Sequence, residues 1–494
     1  MNRLSCQVLL TLSASQHVLN LMRLSIRDLR DVDTYSYSDP FCVVINNCLN
    51  PDWATKIFIT YYFEEQQRLL FEVFDKGPGK EKTHIGSATL LLHEIITAKH
   101  NRKTAKLYDD GKHYGNIIVS AEEQSDGRQE SVYFVCSATK LDRKDFLGKC
   151  DPFLKISRIN RDNTEFVIEC YDWDKDGNHD LVGCCSTTVN RLINKIDVTL
   201  PLINEKKTRK SKKYVDSGQL HFHKVYCWMD YSFLDFIYGG TELNFTVAID
   251  FTKSNLPSEN LSSLHYTDKA KISQYEIAIQ AIAEICQYYN KSHIFHAYGF
   301  GAKLPHYEHV QYNFPLNTIT NNAQCYGIEE LMEAYRIALK TVEFSGPSDF
   351  APTIRHAARQ AASYPPDGTL YSILLIITDG AISDMTRTKE EIIKASSLPL
   401  SIIIVGIGYD TFDEMKVLDS DNQILNSNGK YAKRDIVQFV QLRHFLPPHR
   451  CLTEEDLMDA KDRLAKEVLH EVINYFLNHF RNILIYYINK YINF

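Results

Sequence analysis

The sequence predicts a multidomain chain: two shortened all-β modules followed by an α/β doubly wound domain. Three observations carry this. A chain of 494 residues is too long for one ordinary domain. Its first half contains one pattern twice, strand, acidic loop, strand, acidic loop. Beyond about residue 235 near-continuous apolar strands alternate with helical segments, the signature of a parallel sheet covered on both faces.

The first copy begins with the strand-like 17–26 and the polar loop Arg27–Pro40, which holds Asp33 and Asp39. A buried strand, Arg68–Phe74, then delivers Asp75 into a loop rich in Gly, Pro and Lys, and Gly115–Ala121 closes the copy. The second copy runs from Ser131–Thr139 into a loop with Asp145 and Asp151, again followed by Pro-Phe. Phe166–Tyr171 leads to Asp172-Trp173-Asp174, and Asp180-Leu181-Val182-Gly183 mirrors Thr83-His84-Ile85-Gly86. Gly218–Trp228 closes this half.

Clustered carboxylates raise one another's pKa unless a cation neutralises them, and Ca²⁺ accepts six to eight oxygens in flexible geometry. Asp145, Asp151, Asp172, Asp174 and Asp180, on two loops flanked by strands, therefore form a candidate calcium rim. The plainer reading is that Asp is common in turns. Lys206–Lys213 (KKTRKSKK) reads as a solvated loop, or as a polybasic patch facing acidic lipid.

The α/β half opens on Leu243–Asn255 (LNFTVAIDFTKSN), a buried strand followed by Asp250, Thr252 and Ser254 on alternate residues. In open parallel sheets ligands bind beyond the carboxyl ends of strands. Oxygen donors there suit a hard cation such as Mg²⁺, although the same residues could form a helix cap or turn. Ile272, Tyr275, Ile279, Ile282, Cys286 and Tyr289 mark one helix face. Gly327–Val342, Ala351–Ser363 and Lys389–Ser397 are also helical. Tyr371–Thr378 is a strand that ends at Asp379, and Leu400–Val405 is another.

Net charge is −7, which implies no general nucleic-acid affinity. Twelve cysteines without a C-x-x-C pair suit reduced thiols and the cytosol. The leucine-rich start resembles a weak signal peptide, but Ser5, Gln7 and Thr11 interrupt its apolar run. No G-x-S-x-G, P-loop, H-E-x-x-H or kinase signature set is present, so a non-enzyme is expected.

The acidic spacings of both copies resemble the C2 domain, a Ca²⁺-dependent membrane-binding β sandwich. The resemblance implies that Ca²⁺ bridges the loops to anionic phospholipid membranes. The first copy offers Asp33, Asp39 and Asp75, with Gly77 and Thr83 where further Asp would stand. Both copies are shortened: Asp151 to Asp172 spans 21 residues and Asp39 to Asp75 spans 36. Strands of about five residues each plus turns do not fit the smaller gap, and a missing strand would expose sheet edges.

Asp250, Thr252, Ser254 and Asp379 resemble the metal-ion-dependent adhesion site of von Willebrand factor A domains. That family uses Mg²⁺ or Mn²⁺, with one position open to a partner's carboxylate and a threonine from an intermediate loop. Here 313–327 offers Thr318 and Thr320. Two C2-like modules before an A domain resemble the copines, as do SFLDFIYGG (Ser232–Gly240), FTVAIDFTKSN (Phe245–Asn255), AYGFGAKLP (Ala297–Pro305), LPLSIIIVGIG (Leu398–Gly408) and RDIVQFV (Arg434–Val440). The resemblance implies a cytoplasmic adaptor that moves to the plasma membrane or other membranes when Ca²⁺ rises and binds intracellular proteins through the A domain. A calcium-insensitive scaffold using mainly the A domain, or an extracellular adhesion protein, are the alternatives. Expected boundaries are 1–121, 122–230 and 231–475, with 476–494 an atypical tail.

Overall fold

The computed structural model describes residues 4–11, 18–27, 52–76, 82–123, 130–142, 151–158, 165–173, 175, 179–193, 197–229, 231–267, 272–380, 382–419, 423–447 and 453–491. They form two compact units: 1–16 with 125–231, and 17–124 with 232–494.

The first unit departs from the expected boundaries at its start. Strand β1 (Leu4–Thr11) was expected in the first β module. The first module proper instead begins at β2 (Val18–Arg27) and continues through β3 (Asp52–Thr60), β4 (Arg68–Lys76), β5 (Lys82–Leu91), helix α1 (Leu92–Ile96), β6 (Arg102–Asp109) and β7 (Lys112–Glu123). The second module comprises β8 (Glu130–Thr139), β9 (Pro152–Arg158), β10 (Glu165–Asp172), β11 (Asp180–Thr188), helix α2 (Val189–Ile193), β12 (Val198–Pro201), helix α3 (Glu205–Lys210) and β13 (Gln219–Met229). β1 pairs antiparallel with β8 along its whole length, from Leu4 opposite Ala138 to Thr11 opposite Ser131.

That pairing adds a strand to the shortened second module and moves one sheet edge from β8 to β1. Its sheets have the orders β1-β8-β13-β12 and β11-β10-β9. Without β1, strand β8 would present a row of unpaired N–H and C=O groups, a template for aggregation. Removing residues 1–12 is therefore expected to lower the melting temperature of this unit and to produce higher-order species by size exclusion. A monomeric protein with unchanged melting would refute a stabilising role for β1. Between the sheets lie Phe134, Ile168, Cys170, Val182, Leu200, Leu220 and Phe222, all buried. Helix α3 replaces the solvated loop expected at the basic run.

In the second unit, the first module folds as β3-β2-β7-β6-β5-β4, with β5 and β6 paired only at Ser87 and Tyr108. The A domain begins with helix α4 (Phe233–Gly239), whose N-terminus has a capping box between Ser232 and Asp235. Strand β14 (Glu242–Asp250) follows, then helix α5 (Gln274–Cys286), strand β15 (Ile294–Phe300) and helices α6 (Gly327–Thr341) and α7 (Ala351–Ala362). After the strand Leu370–Thr378 come helix α8 (Met385–Ala395), the strand Leu400–Gly406, helix α9 (Asp413–Asp419), the strand Val437–Gln441 and helix α10 (Glu454–Tyr491). The parallel core has the order β15, β14, Leu370–Thr378, Leu400–Gly406, Val437–Gln441. Its central strands are buried on both faces, so their apolar runs are continuous rather than alternating.

Two features were not expected. The first module and the A domain share one hydrophobic core. Phe63 packs edge-on against Phe233 at 4.9 Å, and His93 lies 3.6 Å from Tyr288 between ring centroids. The Tyr61 and Tyr289 hydroxyls bond, Ser232 Oγ donates to Glu123 at 2.7 Å, and Lys466 pairs with Glu65 at 2.7 Å. The tail is also not separate at residue 476, because α10 runs through that position and buries Phe476. Among the described residues no helix is long and apolar enough to cross a membrane.

Candidate functional site

The parallel pairing of β14 with Leu370–Thr378 sets Ile249 beside Ile377, so both strands release their next residues at one edge. Asp250 is fully buried there. Its Oδ1 accepts from the Thr252 hydroxyl at 2.6 Å and the Thr252 N–H at 2.9 Å, while Oδ2 accepts from the Thr378 hydroxyl at 2.6 Å. Ser254 Oγ donates to Asp379 Oδ1 at 3.0 Å and lies 2.9 Å from Thr252 Oγ1. Two hydroxyl protons cannot serve all three contacts. With one on Asp250 and the other on Asp379, the Thr252 and Ser254 oxygens face each other through lone pairs, as donors to a shared cation would. The structure thus brings together all four residues expected here.

The expected intermediate-loop threonine does not arrive. Thr318 bonds Thr341 on α6 at 2.7 Å, and the Thr320 N–H donates to Asn317 in an exposed turn. Ser348 arrives instead, its hydroxyl 3.5 Å from both Asp250 Oδ2 and Thr252 Oγ1. Its loop is fixed from both sides. Ser383 N–H donates to Ser348 O, and the Asp384 carboxylate caps α7 by accepting from the Phe350 and Ala351 N–H groups at 2.9 and 3.1 Å. The signal in the sequence was the Gly-Pro-Ser turn just before a helix. Gly301 has φ +77° and leaves room for the Thr252 methyl where a Cβ would stand.

Behind the oxygens lies a buried polar layer. Burial drives the His265 pKa down to about 3, so its ring is neutral. Its Nε2 faces the Asp250 carbonyl at 3.0 Å and must carry the proton, which leaves Nδ1 to accept from Tyr335 OH at 2.8 Å. Tyr275 stacks on His265 and donates to Asn255, which in turn reaches Thr252 O. Burial raises the Asp250 pKa against the hydrogen bonds from Thr252 and Thr378. Asp379 is pushed up to about 7, first by burial and then by the charge of Asp250. Two carboxylates held this close suit a divalent cation and oppose sharing the site without one.

The β modules carry a second set. Asp172 ends β10, and its Oδ1 accepts the Asp151 N–H at 2.6 Å. Asp180 stands directly across from Asp172 in the pairing of β10 with β11. Asp172 is 1% exposed, yet its Oδ2 meets no hydrogen-bond donor among the described residues. In the first module Asp75, also buried, stands across from Thr83 in the same way. A register shift precedes each acid, at Val73/Phe74 and Cys170/Tyr171. The expected equivalence of Thr83 and Asp180 is thus met by backbone register. Asp33, Asp39, Asp145 and Asp174 lie outside the described residues. Among the described residues no three His, Cys, Asp or Glu side chains converge on one point.

Comparison with known proteins agrees with this architecture. The Copine family model matches residues 263–486, and the C2 domain model matches 17–108 and 158–204. Nicotinic receptor-associated protein 1 of Caenorhabditis elegans is 36% identical over 551 positions, covering 91% of this chain and 86% of that protein. Its Caenorhabditis briggsae namesake is 35% identical, covering 91% and 87%. Because 91% of this chain is about 450 residues, about a hundred aligned positions have no counterpart here. The calcium-bound pair of C2 domains of Extended-Synaptotagmin 2 aligns at 16% identity, covering 44% of this chain and 97% of that one, with a TM-score of 0.20. Two C2-type modules, an A-type sheet with its oxygen-lined edge, and relatives aligned over nine-tenths of the sequence together place this chain in the copine family.

Proposed function

We propose that this protein is a calcium-responsive phospholipid-binding adaptor. Ca²⁺ joins the acidic rim of the second module to anionic headgroups and draws the protein from the cytoplasm to the plasma membrane or other membranes. The observation that carries this reading is Asp172, a buried carboxylate with one oxygen unpartnered among the described residues. Burying a polar atom without a partner is costly, and a cation at the rim would remove that cost. The A domain binds Mg²⁺ or Mn²⁺ through Thr252, Ser254, Ser348 and the two carboxylates, and holds an intracellular protein partner. Its role is attachment rather than catalysis.

Sedimentation with phosphatidylserine vesicles tests the calcium step. Ca²⁺ is expected to shift the full chain into the pellet. Asp172→Asn should weaken that response by about tenfold or more, and Asp75→Asn by less, because Thr83 stands where the second module has Asp180. A larger loss from Asp75→Asn would reverse the ranking of the modules. No calcium response in folded protein would leave the scaffold reading, with the A domain as its working part.

A further inference from the structure

Glu205–Lys213 carries six cations and one carboxylate. The structure holds this segment firmly. Asn204 is buried, and its amide nitrogen donates to Leu181 O at 3.0 Å and Val182 O at 3.1 Å. Its side-chain oxygen caps α3 by accepting the Lys206 N–H at 3.1 Å. Its own N–H donates to Tyr214 OH, which bonds Ser217 at 2.7 Å on the far side of the basic run. Both ends are pinned, so little chain entropy remains to be lost when a ligand binds.

Two of the cations are already paired, Lys207 with Asp142 at 2.6 Å and Arg209 with Glu205 at 3.3 Å. Lys206, Lys210, Lys212 and Lys213 are exposed and make no ion pair among the described residues. Val215, 79% exposed, follows them. The position of the segment gives this charge a direction. β13 begins opposite the end of β8, with Gln219 across from Thr139. Asn204, which caps α3, also bonds Leu181 O beside Asp180, and Asp180 stands across from Asp172. Cations and acids therefore occupy one end of the module.

We infer that Lys206, Lys210, Lys212 and Lys213 form a calcium-independent contact for anionic phospholipid headgroups, beside the acidic rim and distinct from it. The four ammonium groups meet lipid phosphates and carboxylates, and Val215 enters the interface. Each basic residue near an acidic bilayer strengthens partition about fivefold. Four of them hold the protein loosely at the membrane before calcium rises. This contact needs the membrane part of the proposed function but not its calcium step.

The test is vesicle sedimentation of the full chain in EGTA. Binding is expected to vesicles of phosphatidylcholine with phosphatidylserine, to fall as salt is raised, and to be absent with phosphatidylcholine alone. K206E/K210E/K212E/K213E should lose this calcium-free binding at least about a hundredfold, while the further increase on adding Ca²⁺ persists. Asp172→Asn should do the reverse, losing the calcium increase and keeping the calcium-free binding. A milder K210Q/K213Q pair, with melting monitored, separates charge loss from misfolding and should give an intermediate loss. The inference is overturned if wild type does not bind acidic vesicles in EGTA, or if charge reversal leaves that binding intact. It is also overturned if the lysines prove to bind a DNA duplex and not vesicles.

Discussion

Phe476→Ala is expected to cost about 3–5 kcal/mol of stability, the ordinary range for emptying a buried aromatic site. The ring is 1% exposed and packs against Phe233, Phe236, Tyr371 and Phe480 at centroid distances of 5.4, 5.2, 4.9 and 4.9 Å. The four neighbours, two on α4, one on the strand Leu370–Thr378 and one a turn further along α10, cannot close over such a gap without moving a strand or a helix. For a body of this size each kcal/mol lowers the midpoint by about 2–4 °C, so a fall of about ten degrees is expected by calorimetry. The next residue back reinforces the anchor, since Tyr475 OH donates to Val437 O and Arg434 donates to Tyr475 O. A shift of under about 2 °C would mean that this stretch of α10 contributes little to the fold.

In the absence of divalent metal, Asp379 should make the protein less stable as pH rises. Its pKa in the fold is about 7 against an ordinary 3.8. Between those values the native state keeps a proton that the unfolded chain has released, so stability falls as pH rises through this window. Mg²⁺ must displace that proton, so its affinity should rise with pH, approaching tenfold per unit below about 7. Two measurements check this: thermal midpoints in EDTA on both sides of that pH, and Mg²⁺ titrations at the same values. Asp379→Asn removes the proton, so comparison with wild type isolates this group from every other carboxylate. The variant should show a flatter midpoint-versus-pH curve and little stabilisation by Mg²⁺. A wild-type curve that rises more steeply with pH than the variant's would contradict the assignment.

Local features of the sequence were legible because they are set by neighbours in the chain. The β-prone run Phe166–Tyr171 marked β10, and the acid after it landed at the strand end as expected. Asp250 ends one strand with Thr252 and Ser254 just after it, and a stretch of five residues has few ways to arrange three oxygens. Partner choice over long separations was not legible. Nothing in Leu4–Thr11 says that its partner lies more than a hundred residues away in β8. Ser348 was missed for a related reason. A serine after Gly-Pro reads as a turn, and it is long-range pairing of Ser345 with Phe251, Lys253 and Gly301 that brings that turn to the Asp250–Ser254 loop. His265 carries no local pattern at all, since its role depends on Asp250, Tyr275 and Tyr335 meeting around it.

The aromatic joint of Phe63, Tyr61 and His93 with Phe233, Tyr289 and Tyr288 bears on how this chain can be taken apart. A cut drawn at the sequence boundary near residue 231 would leave an open, greasy socket on each piece. The natural severance line instead surrounds residues 125–231, a stretch inserted between two segments that belong together. In assembly terms the chain is a host with a guest, and only the guest, completed by the strand at the head of the polypeptide, has the makings of a separable part.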